Sequence, residues 1–174
     1  NSDLTCDVLV IGGGPAGFTA GLYAARAGLR TTLSSPMELS GMMAMAPRVE
    51  NFPGQLDAPT GRELLAKIRQ QALAAGVEQV LETVAGVNFT RERGLQVYGG
   101  AQMHVAAAVI IATGAMAAGA KLPGEEEFLG RGVAYCVACD GPLFQGEEVL
   151  VVGNDEQALE EAITYHAKQM VAWS

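Results

Sequence analysis

Two thiols stand two residues apart in Cys136-Val137-Ala138-Cys139, and Asp140 and Gly141 follow at once. Thiols at that spacing can close a small disulfide ring and reopen it, and a thiolate in such a pair is stabilised by local positive potential. An attacking or leaving thiolate needs a proton donor within reach, and the Asp140 carboxyl is adjacent. Two plainer chemistries fit the bare pair: half of a zinc site, or two inert buried thiols. Zinc asks for four ligands, and the remaining candidates, Cys6, His104 and His166, are scattered, so no metal is expected. Cys6 falls in an apolar run and reads as an inert core thiol. His104 and His166 read as ordinary surface or helix residues.

A second set of residues fits phosphate chemistry. Gly12, Gly14 and Gly17 take the three glycine positions of G-x-G-x-x-G in VIGGGPAGFTAG, residues 10–21. In that pattern the first glycine permits a tight turn, the second admits backbone to a dinucleotide pyrophosphate, and the third lets helix pack closely on strand. Pro15 and Ala16 open the helix, whose unpaired N–H groups and partial positive charge complete an anion site. A glycine turn with no ligand is the competing reading, but here the strand, the helix and its small residues (Ala16, Ala20, Ala24) all accompany the motif. The carboxylate that would bind a ribose hydroxyl about 20 residues on is missing. Ser34 and Ser35 offer hydroxyls there, and Glu38 arrives slightly late.

The frame recurs in VVGNDEQALEEA, residues 151–162, with a different filling. Gly153 and Ala158 keep their places, but Asp155 takes the central glycine position, flanked by Asn154 and Glu156. A Cβ and a carboxylate then stand where backbone should meet phosphate, and Asp155 is placed to cap the helix instead. Two like charges about 4 Å apart repel by about 4 kcal/mol at an effective dielectric of about 20, which is on the order of a thousandfold in affinity before screening. The expectation is a retained scaffold whose dinucleotide has been lost or exchanged; weak residual binding is the alternative.

These groups need elements to position them. Cys6 to Ile11 is a continuous apolar run, the pattern of a parallel strand buried on both faces. Pro15 to Ala27 follows as a helix ended by Gly28, and Arg30 to Leu33 as a short strand. Leu64, Leu65, Ile68, Ala72 and Leu73 recur at helical spacing within Thr60 to Ala75, and Gly76 closes that helix. Smaller strands are predicted within 77–87 and 95–105, and a buried strand over Ala107 to Ala112. After a polar loop, Lys121 to Gly132, the pattern restarts with a buried strand over Glu148 to Val152, a helix over Asp155 to Gln169 and a strand from Met170. This β-α-β order predicts open, mostly parallel sheets in two domains, 1–114 and 115–174.

Composition narrows the function classes. Of 174 residues, 49% are hydrophobic and 17% charged, so the chain is globular and not disordered. A net charge of -8 disfavours nucleic acid and anionic membrane surfaces as partners. The most apolar stretch, Val105 to Ala120, is shorter than the roughly 20 residues of a membrane helix and is broken by Thr113, Gly114 and Gly119. The sequence opens Asn1-Ser2-Asp3 with no signal-peptide pattern. Three cysteines in such a chain point to a reducing compartment, and a cytoplasmic location is expected.

GGGPAGFTAGLYAARAG (12–28), VENFPG (49–54), IIATGA (110–115), CVACDG (136–141) and the VVG…A…EEA frame (151–162) together give a specific combination. On these stretches the chain resembles the low-molecular-weight thioredoxin reductases over essentially its whole length. The resemblance implies an α/β fold of two Rossmann-like, three-layer domains of the FAD/NAD(P)-binding type, with an N-terminal FAD-binding part and a redox part carrying the thiol pair. It implies FAD as cofactor. Gly12, Gly14, Pro15, Ala16 and Gly17 would hold the pyrophosphate, with Ser34, Ser35 and Glu38 nearby. Asn51 would lie beside the isoalloxazine, Val84 would meet the adenine through its backbone, and Ala112, Thr113 and Gly114 would close the site. Gly41 and Met42 belong to Ser40-Gly41-Met42-Met43, where relatives usually read Gly-Gly-Gln-Leu.

By the same resemblance, Cys136 and Cys139 take electrons from reduced flavin and pass them to a thioredoxin-like protein disulfide. Cys139 is the thiol nearer the flavin, Cys136 attacks the substrate, and Asp140 manages protons. The altered second turn looks like the NADPH-independent branch, the ferredoxin-dependent flavin thioredoxin reductases and their cyanobacterial-type relatives, some of which hold a second flavin. Ferredoxin or another donor other than NADPH is then expected, with an ordinary NADPH-dependent thioredoxin-disulfide reductase as the alternative. A non-catalytic flavin-binding module with idle thiols is a further one. Family members are usually homodimers and run beyond Ser174, so a homodimer and a chain incomplete at its C-terminus are expected.

Overall fold

The computed structural model describes residues 5–90, 94–100, 102–114, 122–128, 131–135, 137–153, 156–165 and 170–173. It contains two compact units, Asn1–Met45 with Thr60–Gly119, and Ala46–Pro59 with Ala120–Ser174. The chain thus leaves the first unit after Met45, returns at Thr60 and leaves again after Gly119.

In the first unit the chain order is β1 (Cys6–Ile11), α1 (Pro15–Arg26), β2 (Thr31–Ser35), a 3-10 turn (Met42–Met45), α2 (Gly61–Ala74), β3 (Glu78–Leu81), β4 (Gly86–Thr90), β5 (Gly94–Tyr98) and β6 (Met103–Ile111). One sheet forms in the order β3-β2-β1-β6-β5-β4. Its first four strands are parallel, and β5 and β4 extend it antiparallel. Two helical crossovers, α1 and α2, join the parallel pairs β1–β2 and β2–β3, because parallel neighbours need a connection long enough to return over a sheet face, and β6 reaches the other side of β1 after β4 and β5. Ile11 lies opposite Ser34 of β2 and Ile111 of β6, so the C-terminal ends of three parallel strands meet where the glycine turn emerges.

β1 is buried on both faces, as its unbroken apolar run predicts. Val8 and Val10 pack with Phe18, Leu33, Leu65, Ala72 and Val77 on the side of the helices. Leu9 and Ile11 pack with Cys6, Val97 and Ala106 on the other. Phe18, Leu9, Leu33 and Leu65 are fully buried, each contributing about 1.5–3 kcal/mol. α2 starts at a reciprocal cap: Glu63 N donates to Thr60 Oγ1 at 3.2 Å, and Thr60 N donates to Glu63 Oε2 at 2.9 Å.

The second unit runs α3 (Glu125–Phe128), α4 (Val137–Asp140), a 3-10 turn (Gly141–Phe144), β7 (Val149–Val152), α5 (Glu156–Thr164) and β8 (Met170–Trp173). β7 and β8 pair in parallel, Val149 opposite Met170 and Val152 opposite Trp173, with α5 as the crossover. Among the described residues no helix is long and apolar enough to cross a membrane.

The structure corrects several sequence expectations. β2 spans Thr31–Ser35 rather than Arg30 to Leu33, so Ser34 and Ser35 are buried strand residues. β6 begins at Met103, and its later residues Ala107, Ala108, Ile110 and Ile111 are exposed rather than buried. The reason is pairing: β5 accompanies β6 over Met103 to Ala106, and beyond that β1 is its partner among the described strands. On β7, Leu150 and Val152 are likewise exposed. His104 is no surface residue. It is 4% exposed on β6, with Nε2 2.5 Å from Oε1 of the equally buried Glu82.

Candidate functional site

The glycine turn joins β1 to α1, and each glycine answers a different demand. Gly12 has φ +122°, and a Cβ there would stand 2.1 Å from Ala112 O. A Cβ on Gly17 would stand 1.9 Å from Gly12 O. These two make the turn and the helix–strand contact possible. At Gly14, by contrast, a Cβ would meet no protein atom within 4 Å. Gly14 is also the residue before the helix, extended, with no side-chain cap and with Pro15 next. The open room above Gly14, together with uncapped helix amides and no acidic residue in the first turn, is what a bound pyrophosphate requires. The residues present therefore fit a dinucleotide at this turn.

The surrounding residues converge on it. Gly12 N donates to Ser34 O at 2.9 Å and Ala112 N to Ile11 O at 2.8 Å, which fixes Ala112, Thr113 and Gly114 beside the turn. Gly41 has φ +90°, and a Cβ there would stand 3.8 Å from Gly14 Cα. Met42 is partly buried in the 3-10 turn that follows. Val84 packs its side chain against the Leu9 face of the sheet. Asn51 lies in the segment 46–59, which groups with the second unit.

The serine hydroxyls are not free ligands. Ser34 Oγ donates to Glu82 O at 3.4 Å, and Ser35 Oγ donates to Met37 O at 2.8 Å. Ser35 Oγ also accepts from Gln79 Nε2 at 2.9 Å, and the same amide reaches Glu38 O at 3.1 Å. Arg69 Nε donates to Gln79 Oε1 at 2.7 Å, and Arg69 lies 3.5 Å from the exposed Glu38 carboxylate. Gln79 and Arg69 thus brace the 35–38 turn, a role the sequence did not disclose because they come from β3 and α2. Gly13 was also missed. A Cβ there would stand 2.7 Å from Ser35 Cβ and 3.0 Å from Ser40 Oγ, and the signal for it was the middle glycine of Gly12-Gly13-Gly14.

The thiol segment lies in the second unit. α4 carries Cys139 and Asp140; Cys136, like Asn154, Asp155 and His166, lies outside the described residues, and so does the Cys139 side chain. Asp140 Oδ1 is buried with no hydrogen-bond partner among the described residues. Burial raises its carboxyl pKa above the ordinary value. A carboxyl whose burial favours its neutral form, next in sequence to a thiol pair, is suited to giving up a proton to a leaving thiolate.

Side chains from elsewhere hold this segment. Val137 N donates to Glu161 Oε2 of α5 at 2.5 Å. The Tyr165 hydroxyl donates to Phe144 O, and the Tyr165 ring would lie 3.3 Å from a Cβ on Gly141. Upstream, the Tyr135 hydroxyl donates to Glu125 Oε1, which raises the Tyr135 pKa. Leu122 N donates to Glu125 Oε2 at 2.7 Å. At the second glycine frame, Gly153 ends the strand and α5 starts at Glu156.

A family model for pyridine nucleotide-disulphide oxidoreductases matches residues 6–171. The chain is 40% identical over 158 residues to the thioredoxin reductase of Peptoclostridium litorale, covering 90% of this chain and 50% of that protein. It is 40% identical over 161 residues to the thioredoxin reductase of Aquifex aeolicus, covering 92% and 50%. The crystal structure of the thioredoxin reductase of Streptococcus pyogenes MGAS5005 superposes with a TM-score of 0.86 at 37% identity, covering 96% of this chain and 55% of that one. The chain spans about half the length of the curated relatives it matches.

Proposed function

The chain belongs to the pyridine nucleotide-disulphide oxidoreductase family, and we propose that it is a thioredoxin reductase-like, FAD-dependent disulfide oxidoreductase. The observation that carries this reading is the pairing of two sites in one chain. One is a glycine turn with room for a pyrophosphate above Gly14; the other is a C-x-x-C segment followed directly by Asp140, whose Oδ1 is buried. Held at the turn of Gly12, Gly14 and Gly17, reduced flavin would supply the two electrons and two protons that convert a Cys136–Cys139 disulfide to a dithiol. Cys136 then attacks a disulfide of a thioredoxin-like protein, Cys139 resolves the mixed disulfide, and Asp140 gives its proton to the leaving thiolate. The substrate leaves as a dithiol and the Cys136–Cys139 disulfide is restored. Turnover on a protein disulfide by the full-length enzyme should fall to background in Cys136→Ser and in Cys139→Ser; unchanged turnover would show the thiols to be idle.

The electron donor has two readings. Relatives bearing the plain name thioredoxin reductase favour NADPH, the usual donor in the family this chain resembles. Asp155 at the central glycine position of the second frame favours ferredoxin or another donor. Anaerobic mixing with NADPH separates them: prompt bleaching of the flavin supports the first, and bleaching by reduced ferredoxin alone supports the second. Homodimerisation, expected from the resemblance, is read from the mass of the full-length protein in solution.

A further inference from the structure

Resting on the FAD-dependent reading, we propose that Gln79 and Arg69 are positioning residues for the adenosine end of the flavin: they set the 35–38 turn so that the Glu38 carboxylate takes the hydroxyls of the adenosine ribose. The carboxylate that this motif usually carries about 20 residues on is missing, and Ser34, Ser35 and Glu38 are the polar residues at that end of β2.

The turn lies beside the phosphate site. A Cβ on Gly13 would stand within 3.0 Å of both Ser35 Oγ and Ser40 Oγ, so the chain before and after Glu38 flanks the glycine turn. In open α/β sheets a dinucleotide lies across the carboxyl ends of the strands, and its ribose is read at the end of the second. Ser34 and Ser35 are spent elsewhere: each is 1% exposed, and their hydroxyls donate to Glu82 O and Met37 O. Glu38 is not. Its side chain is 67% exposed, and an ionised carboxylate accepts from two hydroxyls at once.

Glu38 lies in no helix or strand, and two residues from other elements fix its place. Arg69 of α2 has donors only, so its Nε meets Gln79 Oε1, at 2.7 Å, which leaves Gln79 Nε2 to face the turn. That nitrogen donates to Ser35 Oγ at 2.9 Å, Glu38 O at 3.1 Å and Met37 O at 3.3 Å, and so holds the backbone on which Glu38 stands. Arg69 Nη2 also lies 3.5 Å from Glu38 Oε1, which steadies the carboxylate itself. An exposed pair at that separation is weak, so the carboxylate stays available to hydroxyl donors. An acceptor already held in place loses less freedom when its ligand arrives.

The test is flavin uptake by the full-length apoprotein, followed by flavin fluorescence, with two ligands: FAD, and an FAD analogue whose adenosine carries 2′,3′-dideoxyribose. The parent should bind FAD about tenfold or more tightly than the analogue, because hydrogen bonds to a charged acceptor are lost with the hydroxyls. Glu38→Ala should remove most of that preference. Gln79→Met keeps the volume and removes the bonds, and Arg69→Lys keeps the charge and removes the fork. Each should weaken FAD binding by about fivefold to tenfold and leave the analogue within about twofold, so that residue and ribose hydroxyls prove coupled. A merely structural brace would weaken both ligands alike. Equal losses for the two ligands in either variant, no loss for either ligand, or a parent that does not distinguish them would each overturn the proposal. Failure of the FAD-dependent reading would show instead as a parent that takes up neither ligand, and the proposal would fall with it.

Discussion

At the scale of single residues, the glycine turn separates groups that shape the protein from a group that leaves room for a ligand. Gly14→Ala places a Cβ in open space at an extended N-cap position, so it should cost the protein about 1 kcal/mol or less while weakening flavin binding. Gly12→Ala and Gly17→Ala drive a Cβ into backbone oxygen, at 2.1 and 1.9 Å, and each should cost about 3 kcal/mol or more. Urea unfolding of the apoprotein and flavin titration check the contrast; equal stability losses at all three positions would contradict it. Asp140 gives a pH-dependent case. Burial raises its native pKa, so its contribution to stability is fully present below the unfolded value of 3.8 and is lost as pH rises through the native value. Asp140→Asn should therefore stabilise the protein more at neutral pH than near pH 4, and a pH-independent difference would refute the assignment. The same variant should slow turnover about a hundredfold. The glycine positions were legible because glycine reports backbone geometry directly. The partners of Ser34 and Ser35 were not, because Glu82 and Gln79 arrive from distant parts of the chain.

At the scale of elements, local chemistry predicts some helix ends and strand pairing decides the rest. Thr60 and Glu63 form the cap that starts α2, and Thr60→Ala should cost about 1 kcal/mol in chemical unfolding. Hydrogen bonds from Thr60 lower the Glu63 pKa, so that contribution is present above the unfolded value of 4.5 and fades as pH falls through the lower native one. The buried pair Glu82–His104 ties the chain after β3 to β6. Glu82→Ala strands a buried imidazole and should cost about 3 kcal/mol, with Glu82→Gln recovering part of it; a cost under about 0.5 kcal/mol would show the pair to be dispensable. Nothing in the sequence around His104 announced that burial, because its partner sits on another element. The apolar run 107–111 misled in the opposite way: hydrophobicity alone does not say whether a strand has a covering layer, and here much of it is exposed.

At the scale of the whole molecule, the two compact units each carry one half of the proposed chemistry: the dinucleotide turn in the first and the thiol segment in the second. The β-α-β order and the glycine turn made the α/β fold readable from sequence. The return of residues 46–59 to the second unit was not readable, since it depends on contacts between segments far apart in the chain. The central claim is that flavin and dithiol form one electron path, and a reductive titration of the full-length flavoprotein tests it most directly. Titrated anaerobically with dithionite, the protein should take up an electron pair beyond the one that bleaches the flavin, and added thioredoxin disulfide should restore the flavin colour. In Cys136→Ser and Cys139→Ser the extra pair and the recovery should both disappear; variants that titrate and recover like the parent would contradict the account.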